Sequence, residues 1–188
     1  MIHLRKITEE NFIDAFNLQL AQGQEGFVSH PIRSLALAYV YRDQCQPFGI
    51  YEDDTMVGYV MVIYDYDIPE YDIWHMMIDE SRQKKGFGSA ALNQVLEYIK
   101  TKPFGPSNRV TLTCNKDNVR ALQMYKKKGF RETGEEAEDE IELSMMLLSN
   151  ICNIYKEGIL TGQGFMLRRV RTSKNELKRH RPLQLVSL

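Results

Sequence analysis

A chain of 188 residues with a formal net charge of −1 suits one α/β domain with a sizeable core and is short for two full domains. No apolar run approaches the roughly 18 residues of a membrane span, and the start MIHLRKITEEN lacks the apolar stretch of a secretion signal, so we expect a soluble cytoplasmic protein without a membrane partner. The three cysteines, Cys45, Cys114 and Cys152, contain no C-x-x-C pair, which argues against a zinc ribbon and a disulfide framework. We expect no bound metal.

Charge divides the chain into two regions. Residues 1–148 hold 16 basic and 23 acidic side chains, whereas residues 149–188 hold 8 and 2. So sharp a change predicts a domain over 1–148 and a basic C-terminal extension of unknown role over 149–188. The extension contains the only strongly basic stretch, RRVRTSKNELKRHR. The domain itself has no basic footprint, so we do not expect nucleic acid as its partner.

The first part of the chain predicts one strand and two helices. IHLRKI alternates as a half-buried strand does. Thr8 is the predicted N-cap of a helix, because Phe12, Phe16 and Leu20 then recur at i, i+4 spacing on one face. SLALAYVYR fits a second, short helix.

Strands dominate the next segment. FGIY and MVGYVMVIY flank the turn EDDT and so predict a hairpin. YDIWHMMID predicts a further strand, which follows the acidic loop DYDIPE.

The remainder of the domain predicts helices and strands in alternation. After QKKGFG, apolar residues at helical spacing from Ala91 to Ile99 predict a helix, and RVTLTC predicts a buried strand. DNVRALQMYKKKG predicts a helix closed by Gly129, and FRET and IELSMML predict a final hairpin. The whole pattern predicts an α/β fold: a twisted, mostly antiparallel sheet of about seven strands with helices on both faces.

The stretch RQKKGFGS lies between a predicted strand and a predicted helix. In that position a glycine loop presents backbone N–H groups and a helix N-terminus to an anion such as a phosphate. It is not a Walker A loop, since no Gly-Lys-Ser/Thr ends it, and it lacks the third glycine of a dinucleotide fingerprint. A tight turn whose glycines only allow positive φ is the alternative, and the loop alone does not choose between the two.

A second motif, on a predicted helix further along the chain, favours the phosphate-binding interpretation of the loop. Asn118, Ala121 and Tyr125 share one face of a predicted helix. The pattern N-x-x-A-x-x-x-Y-x-x-x-G-F begins at Asn118, and the pattern Q/R-x-x-G-x-G/A begins at Gln83. On these two motifs, residues 1 to about 148 resemble the GCN5-related N-acetyltransferase (GNAT) family. QLAQGQEGFVSHP and PFGIYEDDTMVGYVM are similar to segments of its bacterial spermine/spermidine (polyamine) acetyltransferases.

The resemblance implies a GNAT fold with a splayed central strand pair and acetyl-CoA as the cofactor. Its pyrophosphate would lie on the amides of residues 84–89 and its pantetheine arm beside HMMID, where an N–H near Met77 or Ile78 would stabilise the developing oxyanion. An amine would attack the thioester directly, and Tyr125 would be the general acid that protonates the CoA thiolate. The implied cofactor contacts are Met77, Ile78, Gln83, Lys84, Lys85, Gly86, Phe87, Gly88, Ser89, Asn118, Ala121 and Tyr125. Homodimers are common in the family.

The general base is less defined by sequence. His75 lies two residues before Met77, hence on the same strand face, and its ordinary pKa suits proton abstraction. A packing or hydrogen-bonding role is the alternative for a single strand histidine. Glu25, or a water that relays the proton to a distant carboxylate, are further candidates.

For the acceptor, acidic side chains could attract a polycation and aromatic rings could hold its alkyl and ammonium groups. The candidates are Glu25, Asp65, Asp67, Glu70, Asp72 and Trp74, with Tyr64, Tyr66 and Tyr71 beside them. A solvated loop and core aromatic residues are the alternative interpretation.

We therefore expect an N-acetyltransferase for a primary amine of a small polycation such as spermine or spermidine. An enzyme that acetylates a protein N-terminus, a lysine or an aminoglycoside stays open. So does an acetyl-CoA-binding module whose basic tail contacts nucleic acid or an acidic partner.

Overall fold

The computed structural model describes residues 1–148, and the predicted extension over 149–188, with Cys152, lies outside the described residues. The described residues form one seven-stranded sheet in the order β1-β2-β3-β4-β5-β7-β6. The strands are β1 (Ile2–Lys6), β2 (Cys45–Glu52), β3 (Thr55–Asp65), β4 (Glu70–Ile78), β5 (Arg109–Asn115), β6 (Arg131–Ala137) and β7 (Glu140–Met146). Every neighbouring pair is antiparallel except β4 and β5, which are parallel. The predicted fold class is confirmed.

The parallel pair meets over a short length. Tyr71 pairs with Val110 and Asp72 with Thr111, and these are the β4–β5 pairs within residues 1–148. Both strands continue beyond these pairs, so they diverge towards their carboxyl ends. This diverging region between β4 and β5, called the seam below, is the splayed strand pair that the sequence resemblance implied.

Four α-helices cover the sheet within the described residues: α1 (Phe12–Asn17), α2 (Pro31–Val40), α3 (Phe87–Lys100) and α4 (Val119–Lys127). Because successive side chains of β3 point to opposite faces, Tyr59 and Met61 pack in the cluster beneath α1 and α2. Val60 and Val62 pack in the cluster beneath α3 and α4. Helices therefore lie on both faces, as predicted.

The first helix differs from its prediction. It begins at Phe12 rather than directly after Thr8, because the N–H of Thr8 donates to Oδ1 of Asn11 at 2.8 Å and the N–H of Phe12 to the carbonyl of Thr8, which forms a separate turn. Phe12 is 36% exposed, whereas Ala15 and Leu18 are buried. The apolar stripe that contacts the sheet is thus not the predicted one.

The helix that follows the glycine loop is anchored by its apolar stripe. Ala91, Leu92, Val95 and Ile99 are all fully buried, at the i, i+4 spacing that the sequence predicted. Burying a Leu, Val or Ile side chain contributes about 1.5 to 3 kcal/mol. The stripe therefore fixes α3 against the sheet and, with it, the position of its N-terminus.

Candidate active site

The segment between β4 and α3 has the conformation of an anion-binding loop. Asp79 caps a short 3₁₀ turn over Glu80–Arg82, after which Lys84 and Gly86 both adopt positive φ, 65° and 83°. Gly86 is the N-cap of α3, and a Cβ built on it would meet no atom of the described residues within 4 Å. Glycine is therefore suited to this position by its backbone conformation, not by lack of space.

The first turn of α3 offers backbone N–H groups. The N–H of Ala90 donates to the carbonyl of Gly86 at 3.1 Å, and no side chain of residues 1–148 caps the helix. The N–H groups of Phe87, Gly88 and Ser89 come before this bond and have no acceptor within the helix. A pyrophosphate is the type of ligand that such a helix end stabilises.

Gln83 directs its side chain towards the protein. Its amide donates to Oε1 of Gln24 at 2.8 Å and to the carbonyl of Ile78 at 3.0 Å. Both amide hydrogens are then used, so a cofactor contact of Gln83 would come from its backbone. Lys84 and Lys85, in contrast, are exposed, and their charges can attract a phosphate.

The seam leaves one backbone edge of β4 beside this loop. Met77 and Ile78 pair with Tyr59 and Gly58 of β3, and their other edge pairs with no strand of the described residues. Backbone polar groups on that edge need partners and are placed to bond a ligand that lies in the seam. The contacts of Met77 and Ile78 with a pantetheine arm and an oxyanion stay predictions.

Tyr125 lies on α4 with its ring in the core. Asn118 caps this helix by accepting from the N–H of Ala121 at 3.3 Å, and Gly129, with a φ of 100°, follows its end as predicted. Tyr125 is 8% exposed and packs edge-on against Phe130. Burial raises the pKa of the Tyr125 phenol above its ordinary value of 10. The phenol therefore keeps its proton at neutral pH and can serve as a donor.

His75 is half-buried and bonds to a polar cluster of the buried residues Ser34 and Tyr59. Its Nδ1 lies 2.8 Å from Oγ of Ser34 on α2, and the same Oγ lies 2.9 Å from the hydroxyl of Tyr59. Burial, reinforced by the charge of Arg33, lowers the pKa of His75 to about 4. The imidazole is therefore neutral at pH 7, but a weak base. Its base role stays a prediction, and the cluster fits the hydrogen-bonding alternative.

Three of the predicted acceptor carboxylates are at the surface. Glu25 is exposed in the loop between α1 and α2. Asp65 ends β3, and its Oδ1 accepts from the N–H groups of Asp67 and Ile68. Trp74 is half-buried and meets Tyr41 edge-on, with ring centroids 5.5 Å apart. Their contact with an acceptor amine stays a prediction.

The other two carboxylates require a correction. Glu70 and Asp72 lie within β4 and are 6% and 5% exposed, so their interpretation as part of a solvated acidic loop is wrong. The strand begins at Glu70, and β5 supplies Arg109, whose Nε donates to Oε2 of Glu70 at 2.7 Å. A buried carboxylate needs such a partner, and Glu70 is a structural ion-pair residue.

Sequence reasoning missed Gln24, Asp79 and Ser34. Gln24 meets Gln83 across 59 positions of the chain, and Ser34 meets His75 across 41. No periodicity or local motif marks such pairs. Asp79 carried a local signal, since it stands two residues before Ser81, whose N–H its Oδ1 accepts at 3.0 Å.

Comparison with known proteins identifies the class. The family model described as "Acetyltransferase (GNAT) family" matches residues 12–130, and the chain belongs to this family. It is an acetyl-CoA-dependent N-acetyltransferase.

Among curated relatives, the chain is 26% identical over 147 residues to the spermine/spermidine N(1)-acetyltransferase of Bacillus subtilis. The alignment covers 71% of this chain and 90% of that protein. Spermidine N-acetyltransferase from Vibrio cholerae, solved in complex with CoA and spermine, has a TM-score of 0.63 at 19% identity, covering 77% of this chain and 95% of that one. The ribosomal-protein-S18-alanine N-acetyltransferase from Escherichia coli has a TM-score of 0.60 at 16% identity, covering 82% and 99%. At such identities the two structures show the shared fold alone.

Two further findings concern the described residues only. Among residues 1–148, no helix combines the length and apolar character that crossing a membrane requires. No group of three or more His, Cys, Asp or Glu side chains in the same range is arranged to hold a metal ion.

Proposed function

We propose that the protein transfers the acetyl group of acetyl-CoA to a primary amine of a small polycation such as spermine or spermidine. The observation that carries the proposal is the glycine loop at the N-terminus of α3, which lies beside the end of β4 at Met77 and Ile78, where β4 pairs with no strand of residues 1–148 on its β5 side. The relatives from Bacillus subtilis support the acceptor class, because their names specify spermine and the alignment covers 90% of their length. The exposed carboxylates of Glu25 and Asp67 and the half-buried one of Asp65 are suited to attract such a cation.

The residues fit acetyl-CoA at the seam. The N–H groups of Phe87, Gly88 and Ser89 would hold its pyrophosphate, and Lys84 and Lys85 would add positive charge. The unpaired edge of β4 would bond the pantetheine amides. When bound, acetyl-CoA supplies an activated acetyl group as a thioester.

Acetyl transfer requires three groups from the protein: an oxyanion donor, a general acid and a proton acceptor. A backbone N–H near Met77 or Ile78 would donate to the carbonyl oxygen as negative charge develops there. The amine nitrogen forms a bond to the carbonyl carbon as the carbon–sulfur bond breaks, and Tyr125 would donate its phenolic proton to the departing thiolate. The proton that the ammonium loses before attack would pass to His75, or through water to Glu25. The second proton, which the nitrogen loses as the amide forms, would return through water to Tyr125.

Residues 1–148 would form the complete catalytic domain, and residues 149–188 a basic extension without a catalytic task. The change in charge between the two regions supports this division. A truncation to residues 1–148 is then expected to keep kcat, which a CoA-release assay measures. A large loss of kcat in a truncated protein that still binds CoA would contradict the division.

The decisive experiment follows CoA release from acetyl-CoA with spermine, spermidine, putrescine, an aminoglycoside and a lysine peptide. We expect turnover with the polyamines, and a 10²- to 10⁴-fold lower kcat in Tyr125→Phe with CoA affinity preserved, since a general acid typically contributes about that factor. Tyr98→Phe is the matched control, because Tyr98 is a half-buried tyrosine of α3 outside the motif face.

Different outcomes separate the components of the proposal. Turnover restricted to the aminoglycoside or the peptide would overturn the polyamine assignment but keep the enzyme class. Unchanged kcat in Tyr125→Phe would overturn the acid role of Tyr125. CoA binding without turnover of any amine would favour the binding module.

A further inference from the structure

The loop between α1 and α2, residues 18–30, is joined to the glycine loop by a pair of side-chain amides. Nε2 of Gln83 donates to Oε1 of Gln24 at 2.8 Å, and Nε2 of Gln24 donates to Oε1 of Gln83 at 3.3 Å. Both side chains are half-buried. The pair is reciprocal, so each amide fixes both the position and the rotation of the other.

A second junction lies near the start of loop 18–30. The N–H of Gln19 donates to Oδ2 of Asp79 at 2.9 Å, and its carbonyl accepts from the N–H of Glu80 at 2.9 Å. Asp79 also caps the 3₁₀ turn that leads into the glycine loop. Loop 18–30 is therefore attached twice to residues 79–83, while its other end continues into α2.

Gln24 lies where two consecutive turns of loop 18–30 meet. Its N–H donates to the carbonyl of Ala21 at 3.0 Å, and its own carbonyl accepts from the N–H of Phe27 at 2.9 Å. It thus ends one turn and begins the next. Glu25, the exposed carboxylate proposed to attract the amine, follows it directly. A displacement of Gln24 would move both turns and Glu25 together.

Gln83 lies at the start of the glycine loop. It directly precedes Lys84, whose φ of 65° is a backbone conformation that residues other than glycine rarely adopt. Its amide also donates to the carbonyl of Ile78 at the end of β4. A ligand that orders the glycine loop therefore orders Gln83 relative to β4.

We propose that Gln24 is a positioning residue that couples the two substrates. CoA held by the glycine loop fixes Gln83, Gln83 fixes Gln24, and Gln24 sets the arrangement of loop 18–30 in which Glu25 meets the amine. Because coupling free energies are reciprocal, the amine bound against loop 18–30 tightens CoA by the same factor. The identity of the amine rests on the proposed function, but the link between CoA and loop 18–30 does not.

Hydrogen exchange tests the link without any acceptor. In the wild type, CoA is expected to slow amide exchange both in the glycine loop and in residues 18–30. In Gln24→Ala, CoA should still protect the glycine loop and the residues beside Gln19, whose junction is intact, but no longer residues 21–27, and the Kd for CoA should rise about three- to tenfold, the factor typical of one or two net hydrogen bonds. Gln94→Ala, which changes an exposed glutamine of α3, should behave as the wild type.

Two further variants distinguish coupling from a loss of local structure. Gln24→Glu keeps the acceptor of the shorter bond but replaces the donor of the longer one by a second acceptor that faces Oε1 of Gln83, so it should restore only part of the CoA-dependent protection. Gln24→Ala should add nothing to Gln83→Ala in a double-mutant cycle, because both remove the same junction. With an active acceptor, Gln24→Ala should raise the KM for the amine more than it lowers kcat.

The proposal is overturned if CoA protects residues 21–27 equally in Gln24→Ala and the wild type. Additive effects of Gln24→Ala and Gln83→Ala on CoA affinity would overturn it as well. Absence of polyamine turnover would count against the proposed function and leave this exchange result unaffected.

Discussion

The close approach of β3 to β4 at Gly58 allows a sharp test of the site geometry. A Cβ on Gly58 would lie 2.4 Å from the carbonyl oxygen of Met77 and 2.9 Å from Cδ1 of Ile78. The end of an Ile side chain can rotate away, but a backbone carbonyl in a paired strand cannot. In Gly58→Ala, the Met77 carbonyl must therefore retreat by roughly 0.6 Å to reach even 3.0 Å.

The displaced backbone is the segment that would supply the oxyanion donor. Since an error of about 1 Å in a catalytic geometry costs on the order of 10²-fold in rate, we expect Gly58→Ala to lower kcat about 10- to 100-fold. Overpacking of a buried position should also lower the free energy of unfolding by about 1 to 3 kcal/mol. Urea denaturation measures the second effect, and CoA release at saturating substrates measures the first.

Gly88→Ala serves as the stability control. Its Cβ would lie 3.5 Å from Sδ of Met124 and 3.7 Å from Cγ1 of Ile78, which is ordinary contact, so its free energy of unfolding should match the wild type or exceed it slightly. Wild-type stability and wild-type kcat in Gly58→Ala would refute the argument from the Met77 carbonyl.

Three more predictions concern charged and titrating groups. Arg109→Met removes the cation bonded to the buried Glu70 and should lower the free energy of unfolding in urea by about 3 to 5 kcal/mol; a loss below about 1 kcal/mol would contradict this. Partial burial alone would raise the pKa of Asp79, but hydrogen bonds, first from Ser81, outweigh it and lower that pKa below its ordinary value. Asp79 thus stabilises the fold above about pH 4 and loses this effect as pH falls through the lowered pKa, so Asp79→Asn should flatten the decline of Tm in acid, and an unchanged decline would contradict the prediction. If His75 is the base, its pKa of about 4 predicts no loss of kcat/KM from its protonation between pH 8 and 6, and a His75-dependent limb near pH 6.5 would show that the free enzyme carries a more basic imidazole.

Much of the fold could be predicted because the relevant signals are local. The apolar stripe of α3 recurs at helical spacing, and Gly129 marks the end of α4 by its backbone conformation alone. The glycine loop was placed correctly for the same reason, since strand, glycines and helix follow one another in the chain. The prediction of Thr8 as the N-cap of α1 was wrong because a side-chain cap and a separate turn have the same sequence signal.

The candidate site was less predictable where it depends on tertiary contacts. Whether Glu70 is solvated or buried is decided by Arg109, which reaches it from the neighbouring strand. Whether His75 titrates near neutral pH is decided by burial beside Ser34 on α2. Neither partner lies near in sequence, so the sequence left both the functional interpretation of these residues and its alternative open.

The short junction between β4 and β5 also determines how the domain is expected to unfold. Within residues 1–148, strands β1–β4 form one continuous ladder and β5–β7 another, and the backbone connection between them is confined to the pairs at Tyr71 and Asp72. Side chains from both halves, among them Val60 and Leu112, share one apolar cluster, so packing rather than the backbone ladder makes the halves unfold together. A cofactor lying along the seam would add bonds across this junction, and β5–β7 should then open as a separate cooperative unit far less often. Acetyl-CoA would thus be both a reactant and, for as long as it is bound, a connection between the two halves of the sheet.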